Sequence, residues 1–312
     1  MVENTLAFGS YFKKWKYASK VDSWPKMLAP AILGQLLGYY ACQTSSFTGF
    51  ILGLGLTLSN LLVIVFLNDW GDQRVDTIKR LMFPTGCSPK TIPDKILTAN
   101  SLLFGGLLAA LTMLALASAG AWYYSRALLP GFAILALLMF QSYTFAPFKL
   151  NYRGGGELVE MCGIGFILPL MNAYAQSGII WHQSYYLLLG SSTLSLASAL
   201  ASGISDEDSD LAGGKQTFAT RYGNDCVKQA VAFFLFISPL LWLAVTLRNP
   251  SLPIYVVLAP AALIFYYGMK MQSVAKLSSS RAFHAQKQFK LYLHKAIWLS
   301  KITMALGLLL IS

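Results

Sequence analysis

The sequence predicts an all-α integral membrane protein of about nine transmembrane helices. Three observations lead there: charged residues are scarce, nine apolar stretches approach the length of a bilayer crossing, and basic residues crowd alternate connections between them.

Only 12% of the 312 residues are charged and 55% are hydrophobic, whereas a soluble domain carries about 25% charged residues. A larger core cannot absorb that deficit, because a water-facing surface still needs polar cover. Lipid must therefore replace water over much of the exterior. The net charge of +11 does not indicate nucleic-acid binding, since the basic residues border apolar runs instead of forming a stripe. An anionic membrane surface accounts for them.

A hydrocarbon core of about 30 Å needs about 20 apolar residues of helix. The candidate spans are 26–41, 47–67, 96–119, 127–145, 157–175, 184–203, 227–247, 252–271 and 291–311. Backbone groups in lipid must be satisfied internally, so these are helices; no stretch alternates like the strands of an outer-membrane barrel. Residues 1–312 read as one polytopic domain, with 1–24 as a polar, lysine-bearing segment at the interface. No cleavable signal is expected there. Phe8, Phe12 and Trp15, interleaved with Lys13, Lys14 and Lys16, suit a short amphipathic helix on the membrane surface.

Lys13 to Lys20, Arg74 to Lys95, Lys149, Arg153, Lys215, Arg221 and Lys270 to Lys290 lie before the first span or after the second, fourth, sixth and eighth. The alternate connections hold only Arg126 and Arg248. The positive-inside rule puts the N-terminus and the first set of connections in the cytoplasm, in a membrane of the bacterial inner type. Lys301 falls within the ninth stretch, as a cavity-facing or a snorkelling lysine. Cys42, Cys87, Cys162 and Cys226 are scattered, with no pair spaced for zinc or a disulfide framework.

Most of the acids fall in two clusters, Asn68-Asp69-Trp70-Gly71-Asp72-Gln73-Arg74-Val75-Asp76 and Asp206-Glu207-Asp208-Ser209-Asp210. Both follow even-numbered spans and so face one side. On a continued helix Asp69, Asp72 and Asp76 share an arc of about 60°, and Asp206 and Asp210 one of about 40°. Five carboxylates on facing surfaces repel one another, and a hard divalent cation such as Mg²⁺ removes the conflict. The alternative is a pair of solvated acidic loops. Arg74, Lys79, Arg80, Lys90, Lys149, Arg153, Lys215 and Arg221 lie in the same short connections. Of these Arg153, Lys215 and Lys90, with Arg74, are the expected diphosphate contacts, since metal and cations together stabilise charge on a leaving diphosphate.

The first cluster, NDWGDQRVD, resembles the N-D-x-x-D-x-x-x-D motif of the UbiA superfamily of membrane prenyltransferases. The stretch SDEDSDLAGGKQTFATRYG resembles that family's second aspartate motif and the G-K-x-T-x-A-x-R-x-G that follows it. Between them, YTFAPFKLNYRGGGE is similar to a stretch of the 1,4-dihydroxy-2-naphthoate prenyltransferase branch. Ser88-Pro89-Lys90 departs from that branch, which has Gly-Pro followed by Arg, and the run from Lys79 to Thr91 also diverges.

The resemblance implies a nine-helix bundle around a central cavity, its active site at the cytoplasmic face. It implies transfer of a polyprenyl group from its diphosphate to an aromatic ring carbon, in menaquinone or another prenylquinone pathway. Asn68, Asp69, Asp72, Asp76, Asp206 and Asp210 would hold Mg²⁺. Asp72, Asp206 and Glu157 would carry the chemistry, Glu157 by positioning the acceptor or removing a proton. A carboxylate at a helix start also suits the helix dipole alone. Trp70, Tyr143 and Tyr152, with Phe145 and Phe148, are candidate walls for an allylic cation, although aromatic residues here also suit an interfacial belt. No protein partner is implied. A transporter is the rival class, and it should place its ionisable groups near the midplane.

Overall fold

The computed structural model describes residues 11–85, 87–278 and 281–311, which are helical with no strand among them. Phe8 lies outside the described residues. The helix expected beside it is α1 (Tyr11–Ala18), where Trp15 packs edge-on against Phe66 with ring centroids 5.3 Å apart, while Phe12 is exposed.

Each of the nine apolar stretches contains helix. In chain order they are α2 (Pro25–Cys42) and α3 (Phe47–Gly71), followed by the short α4 (Gln73–Met82). Next come α5 (Ala99–Tyr124), α6 (Leu129–Thr144) and the single turn α7 (Leu150–Arg153). A composite helix runs through α8 (Gly156–Cys162), a π-helical stretch at Gly163–Ile167, and α9 (Leu168–Ser177). Then follow α10 (Leu187–Gly203), the short α11 (Glu207–Gly213), α12 (Phe218–Arg248), α13 (Tyr255–Ala275) and α14 (Phe283–Leu309).

By length and apolarity alone, four helices can cross a membrane: α3, α5, the composite Gly156–Ser177 and α12. The bent pair of α10 and α11 makes a fifth if taken as one span. This is fewer than the nine expected, for compositional reasons. Helix α6, at 16 residues, is two short of an 18-residue crossing, while α2 carries Lys26, Gln35 and two prolines. Helix α14 carries Lys287, Lys290, Lys295 and Lys301.

Small residues set the packing. A Cβ at Gly34 would collide with the Pro169 carbonyl, and one at Gly38 with that of Ala173, so α2 and α9 meet nearly backbone to backbone, as lipid-embedded helices do. A buried amide network ties in α3: Gln35 Nε2 donates to Asn172 Oδ1 at 2.9 Å, and Asn172 Nδ2 to Thr57 Oγ1 at 2.9 Å. Lys301 neither snorkels nor faces the cavities described below. It is 1% exposed and donates to Ser195 Oγ of α10 at 3.2 Å.

Two interruptions of helix build the site. Helix α3 ends at Asp72, whose N–H still donates to the Asn68 carbonyl at 2.8 Å, and the chain restarts as α4. Helices α10 and α11 are bent by 74° at residues 204–206. Helices α4 and α11 pack on each other, closely enough that a Cβ at Gly213 would lie 2.6 Å from Val75 Cγ2.

Candidate active site

The two helix breaks carry the two aspartate clusters, and the packing of α4 on α11 brings them around one polar chamber of about 140 Å³. Asp69, Asp72, Asp76, Asp206 and Asp210 all line it, together with Asn68, Glu157 and Glu160. Lys20, Lys79, Lys90 and Lys215 line the same space.

Nearly every motif aspartate faces a lysine from another part of the chain. Lys20 Nζ lies 2.5 Å from Asp69 Oδ1, and Lys215 Nζ lies 2.8 Å from Asp72 Oδ2. Lys90 pairs with Asp76 and Lys79 with Asp206. Hydroxyls complete the shell: Thr91 Oγ1 donates to Asp69 Oδ2 at 2.7 Å, and Tyr152 Oη to Asp72 Oδ1 at 2.8 Å. Among the described residues no three His, Cys, Asp or Glu side chains converge closely enough to hold a metal ion, because these carboxylates are turned toward ammonium groups.

Burial and charge divide the acids. Burial pushes the Asp210 carboxyl up to about 7, with the negative charges of Asp206 and Asp72 adding to it and Lys215 and Lys79 opposing. Burial acts the same way on Asp206, but Lys79, Lys290 and Lys90 outweigh it and hold that carboxyl below the usual range. Burial also raises Asp76 despite Lys90. The Lys90 ammonium is raised, since Asp76 and Asp206 outweigh the burial that opposes them. The chamber thus holds fixed negative and positive groups at close quarters, with buried lysines poised toward any anion that enters.

A second chamber of about 270 Å³ adjoins the first, sharing Lys20, Asn68, Asp69, Tyr143 and Glu160 with it. Its remaining lining is largely apolar, including Met27, Leu61, Ile64, Val65, Met139, Phe140 and Met171. The π-helical stretch contributes Gly163, Ile164 and Ile167, in keeping with the frequent use of such bulges at functional sites. A polar compartment thus shares a wall with a largely apolar one.

A model of the UbiA prenyltransferase family matches residues 27–293. The chain belongs to the UbiA prenyltransferase family. This prenyltransferase is 26% identical over 222 residues to the 1,4-dihydroxy-2-naphthoate octaprenyltransferase of Haemophilus influenzae, across 68% of the chain and 70% of that protein. In fold it is similar to a UbiA homolog from Archaeoglobus fulgidus bound to DMAPP and Mg²⁺, with a TM-score of 0.68 and 15% identity, covering 91% of this chain and 99% of that one. It is also similar to the apo UbiA homolog from Aeropyrum pernix K1, with a TM-score of 0.67 and 15% identity, covering 93% and 98% of the two chains.

The structure of the prenyltransferase brings together most of the sequence-predicted site residues, but not all. Arg74 is exposed on α4 and lines neither chamber. Arg153 is exposed and donates to the Pro147 carbonyl at 2.8 Å. Both point away because they occupy the outer sides of their helices. Trp70 packs against Phe145, centroids 5.7 Å apart, and lines neither chamber. Phe148 is exposed. Tyr143 lines both chambers. Tyr152 lies behind Asp72, its ring under Lys149 and Lys215 at 3.9 and 4.8 Å.

Glu157 reaches the polar chamber, yet its Oε1 accepts the Phe218 N–H at 2.8 Å, at the first residue of α12. The turn that delivers it requires glycine. Gly154 and Gly155 both have φ of 95°, and the Arg221 guanidinium lies 3.1 Å from where a Gly154 Cβ would stand. Sequence reasoning passed over Glu160, which lines both chambers and pairs with Lys26 at 2.5 Å. Its spacing of three residues from Glu157 on one helix was the available signal. Lys20, which the sequence marks only as a topology determinant, also lines both chambers.

Proposed function

We propose that this prenyltransferase moves a polyprenyl group from its diphosphate to a ring carbon of an aromatic acceptor of the 1,4-dihydroxy-2-naphthoate class. The reaction is placed at the cytoplasmic rim of a nine-span bundle in the inner membrane, with the N-terminus cytoplasmic. One observation carries this reading: a chamber of paired aspartates and lysines shares a wall with an apolar chamber, which is the shape of a prenyl diphosphate. The Haemophilus influenzae relative and the stretch 143–157 support the acceptor class. Nine apolar stretches that each contain helix support the span count, and the alternation of basic residues supports the orientation.

The donor set suits Mg²⁺, a hard cation that prefers carboxylate and carbonyl oxygens. Asn68 Oδ1 is buried without a hydrogen-bond partner at the wall between the chambers. Asn68, Asp69, Asp72, Asp76, Asp206 and Asp210 would hold the cation. When bound, it neutralises charge on the diphosphate and makes it a better leaving group.

The chain's own residues do the rest. Lys20, Lys79, Lys90 and Lys215 exchange their carboxylate partners for diphosphate oxygens as the head group enters. The C1–O bond breaks and the diphosphate leaves with the electron pair, giving an allylic cation whose charge faces the Tyr143 ring. The apolar chamber keeps water from it. The acceptor's ring carbon then bonds to C1, and the ring loses a proton, or carbon dioxide where a carboxyl group occupies that position. Glu160 stands between the chambers to take the proton, while Glu157 is engaged at the start of α12. The buried tail explains the membrane setting, since each CH₂ removed from water contributes about 0.8 kcal/mol.

Membranes containing the protein, given labelled polyprenyl diphosphate and a panel of aromatic acceptors with and without EDTA, test this reading. A prenylated product of dihydroxynaphthoate formed only in the absence of EDTA is expected. Absence of product with every aromatic acceptor overturns it.

A further inference from the structure

Asp94 belongs to neither aspartate cluster, yet it stands at a junction. The chain between α4 and α5 comes back over the polar chamber, bringing Lys90 to Asp76 and Thr91 to Asp69. One oxygen of Asp94, Oδ2, accepts hydrogen bonds from three separate parts of the molecule. Tyr17 Oη of α1 donates at 2.6 Å, Arg80 Nη2 of α4 at 2.7 Å, and the Lys90 backbone N–H at 3.0 Å. The Asp94 N–H in turn donates to the Lys90 carbonyl at 2.9 Å, and the Ile96 N–H to the Thr91 carbonyl at 3.1 Å, so residues 90–96 form a closed turn.

We propose that Asp94 is a positioning residue, which seats Lys90 and Thr91 over the polar chamber and ties that seat through Tyr17 to the interfacial helix α1. An ionised acceptor suits the task, since hydrogen bonds to a carboxylate are roughly twice as strong as neutral ones. Burial alone would raise the Asp94 carboxyl, but the donors from Tyr17, Lys90 and Arg80 outweigh it and keep the group below its ordinary range. An amide at this position replaces the ionised acceptor with a neutral one, so each of the three hydrogen bonds to it is weaker.

The test uses full-length protein in lipid nanodiscs and compares wild type with Asp94→Asn and Tyr17→Phe. Its kinetic arm rests on the prenyl-transfer reading, and its amide-exchange arm does not. In Asp94→Asn, amides of 90–96 should exchange about tenfold faster, and KM for prenyl diphosphate should rise about tenfold with little change in kcat. Protection in α3 and α5 should stay at the wild-type level. Tyr17→Phe, which keeps the carboxylate and removes one donor, should shift both readouts the same way by less. Wild-type exchange in the Asp94→Asn segment overturns the proposal. Loss of protection throughout Asp94→Asn together with an unaltered Tyr17→Phe also overturns it. If wild type transfers no prenyl group, the exchange arm alone decides.

Discussion

Lys79 of α4 and Asp206, at the entry to α11, form an ion pair across 127 positions of sequence. The pair closes the polar chamber where the two aspartate-bearing helix ends meet, and Val75 packs against Gly213 beside it. Lys79→Ala should lower kcat/KM for prenyl diphosphate at least about tenfold, as should Asp206→Ala, with the double variant less impaired than the product of the two losses. Steady-state kinetics on the four proteins of that cycle measure the coupling, and strict additivity would contradict it.

The approach of α4 to α11 can be checked without activity. A Cβ at Gly213 would lie 3.4 Å from Val75 Cβ, close to the separation a disulfide spans. With the native cysteines replaced, Val75→Cys combined with Gly213→Cys should cross-link under mild oxidation, as read by mass spectrometry of the digested protein. Two thiols that react freely with maleimide but never join would contradict the packing.

The cations divide into two groups. Lys20 and Lys90 are turned onto chamber carboxylates, whereas Arg74 and Arg153 face outward. Lys20→Ala and Lys90→Ala should each raise KM for prenyl diphosphate about tenfold or more, the cost of losing a charge-assisted contact. Arg74→Ala and Arg153→Ala should stay within about threefold of wild type, as ordinary surface changes do.

Glu160 and Glu157 should separate in the same way. Glu160→Gln keeps the shape but not the base, so kcat should fall by about a hundredfold, within the range of general acid–base catalysis, with KM little changed. Glu157→Gln retains an oxygen for the Phe218 N–H and should cost far less. Equal losses in kcat would remove the distinction.

Gly34 tests the fold itself. Gly34→Val drives a side chain into the Pro169 carbonyl and should sharply reduce folded yield or Tm in detergent. Gly131→Ala, where nothing lies within 4 Å, should leave both unchanged or slightly raised.

Much of this was legible in the sequence because hydropathy and charge act along the chain. Each apolar stretch is helical, and the periodicity that placed Asp69, Asp72 and Asp76 together survives the break at Asp72. What was not legible depends on side-chain direction across distant segments. Arg74 and Arg153 have the right charge and neighbourhood, but their outward orientation is set by helix phase and by the glycine turn after Arg153. Lys20 reaches Asp69 from the left-handed turn that follows α1. Glu160 carried a faint signal in its spacing from Glu157. The pairing of carboxylates with lysines had none.

If both aspartate-bearing helix ends grip one diphosphate, inorganic pyrophosphate must bind the purified protein in the presence of Mg²⁺ through residues of both. Calorimetry should show wild type binding it, and Asp72→Asn and Asp206→Asn each losing affinity by about tenfold or more. Wild-type affinity in Asp206→Asn, or no binding by wild type, would contradict the account.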